Sequence, residues 1–73
     1  MFKVDDIVVL TQDAEGKDSY SLEDLFVPKG SSGTVLLAGK DSVVEVEFVT
    51  EEGDVSILVV PEDILEPWHG AGV

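Results

Sequence analysis

Seventy-three residues hold sixteen acids against four lysines, with no arginine, no cysteine and one histidine, for a net charge of -12. That length supports one small core, burying roughly 60% of the unfolded chain's surface, and the missing cysteines exclude disulfide staples and cysteine-ligated zinc. The charge opposes phosphate-bearing ligands, so nucleic acid and anionic membrane are poor partners, whereas a basic protein would be attracted and steered by the same field.

Met1-Phe2-Lys3 runs at once into Val4-Asp5-Asp6, whose acids interrupt any signal-peptide core, and no apolar run approaches a membrane span. A cytoplasmic chain is expected. Ile7-Val8-Val9-Leu10 is a β-branched run closed by Thr11-Gln12-Asp13 and predicts a first strand. Residues 12–32 then form a long first loop, rich in Gly, Ser, Asp and Lys. Within it, Ser21-Leu22-Glu23-Asp24 resembles a helix N-terminus that Pro28 stops within about a turn or two. Gly30-Ser31-Ser32-Gly33 bends into a second strand, Thr34-Val35-Leu36-Leu37-Ala38, and Gly39-Lys40-Asp41-Ser42 is a hairpin connection. The third strand, residues 43–50, contains the strict alternation Val44-Glu45-Val46-Glu47-Phe48-Val49, with one face in a core and one in solvent. Glu51-Glu52-Gly53-Asp54 turns into a fourth strand, residues 55–60. Pro61-Glu62-Asp63 predicts one helical turn, and Ile64-Leu65-Glu66 a short fifth strand ended by Pro67.

Five strands, a long first loop and one helical turn before the last strand predict an all-β fold, a small five-stranded SH3-like barrel. The barrel is expected over residues 1–67, with 68–73 as a loosely ordered tail. Phe2-Lys3-Val4-Asp5-Asp6-Ile7-Val8-Val9-Leu10-Thr11, Lys29-Gly30, Gly33-Thr34-Val35, Val44-Glu45-Val46-Glu47-Phe48-Val49 and Leu65-Glu66-Pro67 stand in a familiar order. With these, the chain resembles the short bacterial proteins of the domain-of-unknown-function family 4926 over roughly residues 2–67. It is more distantly similar to SH3-like electron-transport accessory proteins, among them the nitrile hydratase beta subunit. In such proteins a glycine often stands where this chain has Asp5. The resemblance implies fold more than function, and its second arm implies a role as an accessory subunit of a larger enzyme.

Chemistry finds little purchase. The lone His69 lies among tail glycines, which cannot hold a base in place for nucleophilic catalysis. The acid clusters Asp5/Asp6, Glu51/Glu52/Asp54 and Glu62/Asp63/Glu66 lack the ligand count and spacing of a calcium loop. Gly30-Ser31-Ser32-Gly33-Thr34 lacks the Lys-Ser/Thr ending and following helix of a phosphate loop, so its glycines serve turns. No enzyme activity, cofactor or metal is expected.

Two apolar features carry the functional expectation. Tyr20, Leu22, Leu25 and Phe26 crowd the long loop, either plugging the open end of the barrel, the favoured reading, or presenting an adhesive surface. The strands also carry apolar residues on both faces. If Val8, Leu10, Val35, Leu37, Val44, Val46, Phe48, Val55, Ile57 and Val59 point inward, then Ile7, Val9, Leu36, Val43, Val49, Leu58 and Val60 point outward. Tyr20, Leu22, Leu25, Phe26, Leu36, Leu58 and Trp68 are the expected partner-binding residues. The expected function is a non-catalytic acidic module that binds a basic protein, one form being an antitoxin or immunity-type inhibitor, or that forms a homo-oligomer.

Overall fold

β1, Ile7–Leu10, extends because three of its four side chains are β-branched, and Val8 and Leu10 enter the core while Ile7 stays exposed. The computed structural model describes residues 2–39, 41–49 and 53–68. Six further strands follow among these residues: β2 Ala14–Lys17, β3 Asp24–Val27, β4 Ser32–Ala38, β5 Val43–Val49, β6 Val55–Pro61 and β7 Leu65–Pro67. A 3-10 turn, Glu62–Ile64, lies between the last two.

The strands form two antiparallel sheets. The larger has the order β6-β5-β4-β1-β7, and β2 with β3 makes a separate ribbon. β1 joins the start of the chain to its far end: Val8 stands opposite Gly33 on one side, while Val9 stands opposite Glu66 on the other. The larger sheet does not close on itself, since β6 and β7 are its two outer strands. The radius of gyration, 11.4 Å, is close to the roughly 11 Å expected of a compact chain of this length.

The core is one cluster. Val8, Leu10, Val35, Val44, Val46 and Val60 are fully buried from the larger sheet, and Ala14 and Val27 join them from the ribbon. Two glycines permit this packing. A Cβ on Gly33 would stand 2.6 Å from Val46 Cγ1 and 2.7 Å from the Glu47 carbonyl oxygen, so only glycine lets β4 lie this close to β5. A Cβ on Gly16 would stand 2.9 Å from Leu58 Cδ1, so the ribbon rests directly on that leucine.

Several expectations are corrected here. The long first loop contains two strands, giving seven in place of five. Ala14-Glu15-Gly16-Lys17 has little β propensity of its own and extends because it pairs with Asp24–Val27 and packs through Gly16. No helix begins at Ser21, because Leu22 adopts a left-handed φ of 63° and the Ser21 hydroxyl is turned to Asp18. In β6 the parity is reversed: Ser56, Leu58 and Val60 face inward, opposite Phe48, Val46 and Val44. Both faces of this strand are apolar, so alternation alone could not choose between them. Leu37 faces outward because the β4–β5 register shifts between Val35 and Leu37.

Candidate protein-docking surfaces

One carboxylate fixes the tip of the β2–β3 ribbon. The Asp18 side chain is buried, and its Oδ1 accepts the N–H of Tyr20 at 3.0 Å and of Ile57 at 3.1 Å. Its Oδ2 accepts the Ser21 hydroxyl at 3.1 Å. The neighbouring Ser19 N–H donates to the Ile57 carbonyl at 2.7 Å. Two successive tip residues thus occupy both backbone groups of Ile57 on the outer edge of β6, as a pairing strand would. The amides of Tyr20 and Ile57 hold the Asp18 carboxyl below the usual aspartate value; burial opposes them, and Ser21 adds to the lowering.

The latched turn presents two apolar side chains to water. Tyr20 is 85% exposed and Leu22 70% exposed. The Leu22 N–H donates to the Asp18 carbonyl at 2.8 Å, and the Asp18 N–H to the Glu23 carbonyl at 2.9 Å, closing the turn around them. A left-handed backbone at a leucine costs about 1–2 kcal/mol. Neither solvation nor conformation favours leucine here.

A second surface runs from the rim beside the ribbon onto the outer face of the larger sheet. Phe26, Pro28, Phe48 and Val49 border a depression of about 380 Å³. It shares Ser32 and Val49 with a neighbour of about 310 Å³, where Ile7, Thr34, Glu47 and Trp68 meet. Ile7 and Trp68 also border a third, with Phe2 and Pro67. Together they form a continuous surface from Phe26 to Phe2 in which apolar side chains alternate with Ser32, Thr34, Glu47 and Asp6.

Of the expected partner-binding residues, Tyr20, Leu22, Phe26, Leu36 and Trp68 are exposed, the last two about one-third to one-half. Leu25 is half-buried and packs on the core, whereas Tyr20, Leu22 and Phe26 do not fold down onto it. Leu58 is corrected outright: it is 2% exposed, because the parity of β6 turns it onto Val46 and Gly16. Asp18 and Glu47, which shape these surfaces, are not among the residues expected from the sequence. The signals were an aspartate ahead of Ser-Tyr-Ser, as turns favour, and the solvent parity of the Val-Glu repeat.

Two of the clustered acids, Asp6 and Glu62, serve local structure. Asp6 Oδ2 accepts the Lys3 N–H at 2.9 Å, and Glu62 Oε2 accepts the Phe2 N–H at 3.3 Å, tying down the segment before β1. Among the described residues no group of three His, Cys, Asp or Glu side chains could hold a metal ion, and no helix is long and apolar enough to cross a membrane. His69, Glu51, Glu52 and the tail 69–73 lie outside the described residues. Compared with known proteins, the chain matches no protein-family profile, no curated protein and no solved structure.

Proposed function

We propose that this chain is a non-catalytic acidic module that binds a basic protein. One observation carries this reading: a molecule of net charge -12 leaves Tyr20, Leu22, Phe26, Val49, Val59 and Trp68 about half exposed or more. Charge keeps such a molecule soluble, and the uncovered apolar area is what a partner would bury. The carboxylates around it would draw in and orient a cationic surface. An inhibitor of the antitoxin or immunity type is one form, with carboxylates replacing the phosphates of a nuclease's substrate.

We read the fold as SH3-like. The long excursion carrying β2 and β3, the β4–β5 and β5–β6 hairpins and the 3-10 turn before a last strand paired to the first all support that reading. The left-handed φ of 76° at Asp5 supports the likeness to family 4926, since it is the conformation that favours the glycine often found there. An accessory subunit of a larger enzyme is the alternative, supported by the electron-transport likeness.

The test is the molar mass of the pure chain, followed by capture with wild-type bait and with a Tyr20→Ser, Phe26→Ser double variant. A stoichiometric basic protein, released by salt and lost with the variant, is the expected result. A monomer that retains no protein partner overturns the proposal.

A further inference from the structure

The outer face of β5 reads apolar, acidic, acidic, apolar: Val43, Glu45, Glu47 and Val49 share it, spanning about 20 Å. Cross-strand neighbours set each glutamate among apolar or small groups. Glu45 lies between Leu37 and Val59, and Glu47 between Thr34 and Ile57. Each also lines its own depression. Glu45 borders one of about 110 Å³ with Leu37, Val43 and Val59, and Glu47 borders the one of about 310 Å³ with Ile7, Val49 and Trp68. Both glutamates are half-buried, and neither side chain makes a hydrogen bond or ion pair among the described residues.

Resting on the protein-binding reading, we infer that these two depressions are paired sockets for two Lys or Arg side chains of the partner. The aliphatic stem of such a side chain packs along apolar walls while its charged end meets a carboxylate, and this is what each socket offers. Trp68 adds an aromatic wall to the Glu47 socket, suited to a guanidinium. The partner therefore presents two basic residues about 7 Å apart, the spacing of alternate residues on an extended strand, with aliphatic side chains outside them. A second copy of this chain is the wrong occupant, since a two-fold contact through this face would bring four carboxylates together.

The probe is the peptide acetyl-Leu-Ser-Arg-Ser-Arg-Ser-Leu-amide, titrated into the labelled full chain by NMR. Expected are shifts confined to Leu37, Glu45, Glu47, Val59 and the Trp68 indole, lost with salt. Affinity should fall about tenfold for each of Glu45→Gln and Glu47→Gln, the equivalent of one charge-assisted contact. A control peptide with glutamine for both arginines should not bind the wild-type chain, which tests the inference even if a variant misfolds. Shifts spread evenly over Asp5, Glu15 and Asp63, equal affinity for the two peptides, or a dimer that protects this face would each overturn it. A basic partner still captured through Tyr20 and Phe26 after such a failure would leave the binding function standing and remove only these sockets.

Discussion

Replacing Leu22 by glycine should make the protein more stable and a worse binder. At φ 63° leucine carries about 1–2 kcal/mol of left-handed strain that glycine does not. Glycine gives back part of this through a freer unfolded chain, about 0.5–1 kcal/mol. Little packing is lost with a side chain 70% exposed. The net gain is about 1 kcal/mol, against a total of roughly 4–11 kcal/mol for a domain of this length. Melting followed by circular dichroism should then rise by about 4–8 °C. Leu22→Ala keeps the backbone penalty and should not rise. The same glycine variant should capture less partner, because half of the exposed tip is gone. An unchanged or lower melting temperature for Leu22→Gly, or an equal rise for Leu22→Ala, would refute the assignment of strain to this position.

Gly33→Ala should destabilise by about 1–3 kcal/mol or more, because the added methyl meets a backbone oxygen that cannot move aside; urea unfolding measures it. Asp18 is held below 3.8 in the folded protein, so its stabilisation is present above 3.8 and is lost as pH falls through the lower folded value. Urea midpoints measured from pH 6 to pH 2 should therefore show a drop in the acid limb that Asp18→Asn makes shallower. Moderate salt should raise the melting temperature by screening like charges. The one ion pair between described residues, Lys17 Nζ to Asp24 Oδ1 at 3.0 Å, is exposed on both sides and offsets little of this.

The fold was legible where alternation was strict. Val44, Val46 and Phe48 were placed inward by the glutamates between them, and the helical turn before Leu65 by Pro61. It was illegible where both parities are apolar. Val55–Pro61 gives no polar marker except Ser56, and that serine is buried, so the sequence pointed to the wrong face. The β2–β3 ribbon was hidden for a different reason. Ala14–Lys17 becomes a strand through contacts with Asp24–Val27 and Leu58, which local propensity does not contain. The surplus of apolar surface is legible, and its membership only in part: Ile7, Leu36 and Val49 are outside as expected, but Leu37, Val55 and Val59 are outside too, and Leu58 and Val60 are inside.

The seam between β1 and β7 sets the order in which this molecule can be completed. Val9 waits for Glu66, so one flank of the first strand stays open until the chain has been made as far as β7. An unpaired, β-branched flank invites neighbouring nascent chains to zip onto it. The carboxylates that accumulate along every copy, from Asp5 and Asp6 onward, make that encounter mutually repulsive during the wait. Acidity thus guards the half-made protein from its siblings before it ever serves the finished one.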